Sequence, residues 1–267
     1  MPPVKIMYLN PVADNPEVDR LFADMARAYK LPGTEVHVTA LPRADYPYSH
    51  IEYRTYEALV TGGIIRATRA AASEGFDALA IGCFYDTALH DAREISGAMA
   101  VTAPCIASCE IATGLANRFA VIVVRSKCNC QMDANIREYG YGDRFSGFYE
   151  IGLGVNDLQR DHAETERRLK AAGRRAVDDG AEIIVLGCTM EIGFYTEMEA
   201  ELGVPVIDSA IASLKRAEYA ALLRHQCGWL PSRVGSCEAP PEVEIAKFDA
   251  FGGSRPVFGS RIVVEAS

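Results

Sequence analysis

Apolar residues along this chain fall into short runs that alternate with segments of helical spacing. Residues 4–9 form an apolar run closed by the turn signal Asn10-Pro11, and predict a strand. In residues 16–29, Val18, Leu21, Phe22, Met25 and Ala28 recur at helical intervals. A strand at 36–40 is expected next, then a long loop at 41–52, rich in Pro, Tyr and charge, beside a pocket. The pattern continues with a helix at 56–73, a strand at 78–81, a helix at 86–98 and a strand at 101–106.

The second half repeats the theme. Helices are expected at 111–117, 132–139, 191–202 and 211–223, and strands at 119–124, 148–155, 183–186 and 204–207. Between them, 161–178 reads as a long amphipathic helix with Leu169, Ala172 and Ala176 on its apolar face. Strands alternating with helices predict parallel sheets covered on both faces. Beyond His225 the texture changes: Cys227, Trp229, Cys237, several prolines and the small-residue stretch 251–254 precede a strand-like segment at 261–265.

Two stretches are nearly the same. Residues 74–83 and 179–188 each run from an acidic residue and Gly through an apolar segment to Gly-Cys, ending at Cys83 and Cys188 with a constant offset of 105 positions. Pro104–Ser108 is echoed by Pro205–Ser209. Two similar halves, each offering a thiol at a strand's end, suit removing a proton from one face of a carbon and returning it to the other.

Composition narrows the setting. A chain of 267 residues can bury one large core or two modest ones. Its net charge of −9, with no run of Lys or Arg, argues against a nucleic-acid surface. No apolar stretch is long enough to span a bilayer, and the first residues lack a cleavage-like signal, so a cytoplasmic location is expected. Eight cysteines then point to reduced thiols, most of the surplus being small buried hydrophobes. Cys105 with Cys109, and Cys128 with Cys130, do not make paired metal-ligand spacings, and no metal site is expected.

Taken singly, a Cys after a strand is more often a buried hydrophobe than a catalyst. Two in matched positions of a duplicated unit shift that balance, since the repeated packing does not require sulfur. Both lie where ligands bind in open parallel sheets, outside the strands' carboxyl ends and ahead of predicted helices. A helix N-terminus favours thiolate over thiol, and the N–H groups of Phe84, Tyr85, Thr189 and Met190 are placed to hold a carboxylate or enolate oxygen. Asp86 and Glu191, three residues past each cysteine, also fit acids that merely complement a helix dipole. Asp208 and Ser209 fit a plain helix cap, and Asn10 a plain turn residue.

With those residues in place, the chain resembles the Asp/Glu/hydantoin racemase superfamily, and within it the hydantoin and allantoin racemases. The likeness covers roughly residues 4–222. It rests on Asn10-Pro11, Gly82-Cys83-Phe84-Tyr85-Asp86, Ala103-Pro104, Glu110-Ile111-Ala112, Val185-Leu186-Gly187-Cys188 and Gly203–Asp208. The family commonly has Gly-Asp-Pro-Gly after its Cys-Phe and Ala-Gly-Met after its second Gly-Cys. This chain has Tyr85-Asp86-Thr87-Ala88 and Thr189-Met190-Glu191 instead, and it also extends past the usual family length after 225.

The resemblance implies a cofactor-independent mechanism in which Cys83 and Cys188 act as base and acid and exchange roles with the substrate's handedness. It also implies that Asn10, Glu110 and the loops Phe84-Tyr85-Asp86 and Thr189-Met190 line the pocket. The expected fold is α/β, with two pseudo-symmetric domains, each a parallel sheet flanked by helices, and the active site in the cleft between them. The expected boundaries are 1–112 plus 208–225, then 113–207, with 226–267 as an extension packed on the body or on another subunit. The expected activity is racemisation of a small molecule, a 5-substituted hydantoin or an allantoin-like ring, by a homo-oligomer with no nucleic-acid or membrane partner. Competing readings are an acidic amino-acid racemase, a maleate-type cis–trans isomerase, a single-cysteine decarboxylase and a non-catalytic small-molecule binder.

Overall fold

The computed structural model describes residues 3–248, 251 and 256–266, so part of the small-residue stretch at 251–254 lies outside the described residues. The chain divides into two compact units. The first holds β1 (Val4–Ala13), α1 (Pro16–Tyr29), β2 (Thr34–Leu41), α2 (Arg54–Ser73), β3 (Ala78–Ile81), α3 (Leu89–Ile95) and β4 (Ala100–Thr102). The second holds α4 (Pro104–Leu115), β5 (Phe119–Val123), α5 (Asn129–Glu138), β6 (Phe145–Glu150), α6 (His162–Asp178), β7 (Ile183–Leu186), α7 (Tyr195–Leu202) and β8 (Val206–Asp208). The division passes through α8 (Ser209–Cys227), after which α9 (Glu242–Phe248) and β9 (Ser260–Val264) return to the first unit.

The two sheets have matching orders. In the first, the strands run β4-β3-β1-β2-β9; in the second, β8-β7-β5-β6. Strand for strand, β3 corresponds to β7 and β1 to β5, so each Gly-Cys leaves the equivalent strand of its sheet. β1, β3, β5 and β7 are flanked on both sides by parallel partners, with Ile6 opposite Ala78 and Phe119 opposite Ile183. Three of these, β3, β5 and β7, are also apolar throughout, as strands covered on both faces must be: Ala78–Ile81, Phe119–Val123 and Ile183–Leu186 are wholly buried. Each Val, Ile or Leu so enclosed stabilises its unit by about 1.5–3 kcal/mol.

In the second unit, α6 begins at Asp161, whose side chain accepts the Glu164 N–H, and lays Leu169, Ala172 and Ala176 against the core. Gly173 on the same helix has no side chain because Leu202 of α7 occupies that space.

Several expected elements end elsewhere. The strand expected at 101–106 stops at Thr102. Pro104 opens α4 instead, at a helical position whose N–H would be unpaired anyway. The helix expected from Asp86 begins only at Leu89, because Asp86 (φ 51°) and Ala88 (φ 58°) take left-handed backbone conformations. The helix expected from Glu191 is a single 3-10 turn, Thr189–Glu191, broken by Gly193 at φ 90° before α7 starts. The strand placed at 148–155 is β6, an edge strand at 145–150 whose half-exposed residues carry no alternation to read.

The segment after 225 belongs to the first unit. Its β9 pairs antiparallel with β2, Val36 opposite Val264, so the first sheet is mixed where a purely parallel one was expected. Arg261 pairs with Glu74, Arg69 with Glu242, and the Arg233 guanidinium donates to the carbonyl oxygens of Arg93 and Gly97 at the end of α3. Residues 103–112, expected with the first unit, fall in the second, as does the turn Gly82–Asp86.

Candidate active site

The first cysteine turn leaves β3 and joins the second unit. The Asp86 N–H closes it on the Cys83 carbonyl at 2.9 Å. Phe84 and Tyr85 insert into the second unit's apolar core, and the Asn135 amide donates to the Tyr85 carbonyl at 2.7 Å. The Asp86 carboxylate accepts from the N–H groups of Cys105 (2.8 Å) and Ile106 (2.9 Å) and from the Tyr139 hydroxyl (3.0 Å). It thereby caps α4, whose own cap residue Ala103 offers no side-chain acceptor. The side chains of Phe84, Tyr85 and Asp86, expected to line a pocket, thus anchor the turn that carries Cys83.

The second turn leaves β7. Gly187 precedes Cys188 because a Cβ there would lie 2.4 Å from the Ile122 carbonyl oxygen of the neighbouring strand, so this glycine answers to sheet packing. Cys188 is extended, and the Glu191 N–H closes the 3-10 turn on its carbonyl at 2.9 Å. A reciprocal cap follows: the Cys188 sulfur accepts the Glu191 N–H, and Glu191 Oε2 accepts the Cys188 N–H at 3.1 Å. Gln159 holds the Met190 carbonyl at 2.9 Å.

The two turns are tied directly. Thr189 Oγ1 donates to the Gly82 carbonyl at 3.0 Å, linking residues 107 apart in the chain. Cys83 and Cys188 are both partly exposed and pack against the second unit's core, and a charge on Cys83 is felt at Cys188. The N–H groups of Phe84 and Thr189 meet no acceptor among the described residues.

Burial dominates the electrostatics. It pushes the Cys188 thiol well above its ordinary range, Glu191 and Cys83 add to the rise, and the Met190 N–H opposes it. Burial likewise raises Glu191, with Asp208 adding and the N–H groups of Cys188 and Gly187 opposing. It raises Asp208 to about 6 against hydrogen bonds from Gly193, Ile211 and Ala210. The expected helix-dipole stabilisation of a thiolate is absent at Cys188, since no α-helix starts there and low-dielectric surroundings favour the neutral form.

Of the remaining expected residues, Glu110 is half-buried on α4 and Met190 half-buried in the second turn. Asn10, in the first unit, is buried against the Asp19 carboxyl, with neither amide atom in a hydrogen bond of normal geometry. In the sequence Glu191 reads only as a dipole acid; the Cys-x-x-Glu spacing of a capping box, with Cys in the cap position, is the signal for its second role. All eight cysteines are free: Cys105, Cys109 and Cys128 are buried, Cys237 half-buried, and Cys130 and Cys227 exposed.

Comparisons place this arrangement. The model of the Asp/Glu/Hydantoin racemase family matches residues 10–217. A hydantoin racemase from Rhizobium meliloti is 31% identical over 88% of this chain and 95% of its own length. One from Pseudomonas sp. (strain NS671) is 36% identical over 61% of this chain, a match spanning 65% of that relative. The structure of allantoin racemase from Klebsiella pneumoniae superposes with a TM-score of 0.80 at 28% identity, covering 89% of this chain and 94% of that one. With the family model spanning most of the chain and both Gly-Cys turns, the protein belongs to the Asp/Glu/hydantoin racemase family and is an isomerase of the racemase class.

Proposed function

We propose that the protein racemises a carbon acid next to a carbonyl, a 5-substituted hydantoin or an allantoin-like ring, without a cofactor, using Cys83 and Cys188 as its two acid/base groups. The observation that carries this reading is the Thr189–Gly82 hydrogen bond, which holds the two cysteine turns together in one compact unit. The names of the relatives support the ring class: hydantoin racemase and allantoin racemase.

In the proposed reaction one cysteine, as thiolate, takes the proton from the substrate's stereogenic carbon. The C–H electron pair moves into the adjacent carbonyl, giving an enolate. The other cysteine, as thiol, delivers its proton to the opposite face of the same carbon. The enolate collapses, no atom is gained or lost, and the two sulfurs have exchanged protonation states. The N–H groups of Phe84 and Thr189 are the proposed donors to the enolate oxygen, where charge develops. The raised thiol of Cys188 fits the protonated partner in the resting enzyme, and general acid–base catalysis by such a group contributes on the order of 10²–10⁴-fold. The mechanism needs reduced thiols, in keeping with the proposed cytoplasmic setting.

Cys83→Ala and Cys188→Ala are each expected to lose racemisation by at least 10²-fold while keeping the wild-type circular dichroism spectrum. Polarimetry in deuterated water, on hydantoins, allantoin, aspartate and glutamate, with proton NMR for maleate, supplies the readout. Racemisation surviving in either variant removes the two-base mechanism; turnover of an amino acid or maleate in place of the ring compounds removes the substrate class.

A further inference from the structure

We propose that Glu191 is a positioning residue for Cys188, fixing the sulfur through a reciprocal pair of hydrogen bonds and setting, by its own charge, how readily that sulfur parts with its proton. This rests on the reading of Cys188 as one of the two acid/base groups. Glu191 is 0% exposed, deeper than either cysteine. Its backbone N–H meets the Cys188 sulfur while its Oε2 accepts the Cys188 N–H, so both ends of the cysteine are held by one residue. The other oxygen, Oε1, is buried and has no partner. A structural cap needs only one acceptor, and a surplus ionisable oxygen enclosed in an apolar core is otherwise a cost.

The titratable groups facing Glu191 are Asp208 at the end of β8 and Cys188 itself; Cys188 in turn faces Cys83 and Cys128. Each is neutral or anionic. Burial and Asp208 both favour the protonated acid at Glu191, so the sulfur has an uncharged neighbour at lower pH. As pH rises and Glu191 ionises, a negative charge forms beside Cys188 and opposes its thiolate. Rising pH thus releases the thiol's proton and penalises that release together. The hydrogen-bonding role survives in glutamine; the charge does not.

The test uses the full chain carrying Glu191→Gln or Glu191→Ala. Iodoacetamide alkylation of Cys188, followed by mass spectrometry across pH, reports its thiolate fraction. In E191Q the alkylation curve is expected to move to lower pH by about one unit, roughly tenfold faster on the rising limb. Racemisation of a 5-substituted hydantoin is expected to fall in kcat by about 10²-fold in E191A and to be largely restored in E191Q, which keeps the acceptor. Coincident alkylation curves for wild type and E191Q overturn the proposal, as does an E191A variant that turns over like wild type. If E191A does not fold, the E191Q curve decides. A racemising Cys188→Ala variant instead overturns the two-cysteine reading, and with it the basis of this one. An inactive C188A with unmoved E191Q alkylation removes only the role of Glu191.

Discussion

Asp208 shows how one buried carboxyl can make stability depend on pH. Its oxygens accept the N–H groups of Gly193, Ala210 and Ile211, yet burial wins and its folded pKa rises from 3.8 to about 6. Since the folded state holds this proton more tightly than the unfolded chain, its favourable contribution is full below pH 3.8. It is lost as pH climbs through about 6, a change on the order of 3 kcal/mol. Asp208→Asn cannot ionise. Its melting temperature relative to wild type is therefore expected to improve between pH 4 and pH 7, read by scanning calorimetry at both; a gap that stays constant contradicts the assignment. The position of Asp208 as a helix cap was legible in the sequence, but its proton affinity was not, because that depends on how much water the fold removes. Gly187 carries the same lesson. It is required by a carbonyl of the adjacent strand, Ile122, which lies 65 positions away in the chain and outside any local window.

At the scale of elements, what the chain's own pattern could specify came through. The strands at 78–81 and 183–186 end where the apolar runs end, and α6 follows its stripe within a residue. What failed depended on partners distant in sequence. The turn after Cys83 is held by α4 and α5, through bonds from Cys105, Ile106, Asn135 and Tyr139, none of which a local window can see. Left-handed backbone at Asp86 and Ala88 is likewise unreadable in residues that seldom adopt it. Asp86→Ala removes the acceptor of three hydrogen bonds, two of them to a helix N-terminus. It is expected to lower unfolding free energy by about 2 kcal/mol in urea titration. A change under a few tenths of a kcal/mol would mean that the cap contributes nothing.

Across the whole molecule, the repeated Gly-Cys segments proved to be the mark of two sheets with the same strand order, so the duplication was readable before any coordinates. The tail was the harder part. Residues 261–265 read as a strand and Ser260–Val264 form one, but nothing local announces that it pairs with β2 as the fifth strand of the first sheet, or that Ser260 donates to the buried Asp19 carboxylate at 2.7 Å. Without β9, the N–H and C=O groups along the outer side of β2 would be left as an open edge. Truncation after residue 225 is accordingly expected to yield a protein that melts lower and aggregates on concentration, followed by light scattering. An equally soluble, equally stable truncate would show the strand to be an ornament. No helix among the described residues is long and apolar enough to cross a membrane.

Both sulfur-bearing turns belong to the same compact unit, and the hydroxyl of Thr189 joins them. In the proposed two-cysteine reaction that bond would set the spacing of the two turns like a gauge machined into one block. Rings of different size would then be accommodated by trimming the side chains around it, and lengthening either turn by a residue is expected to spoil the calibration for every substrate at once.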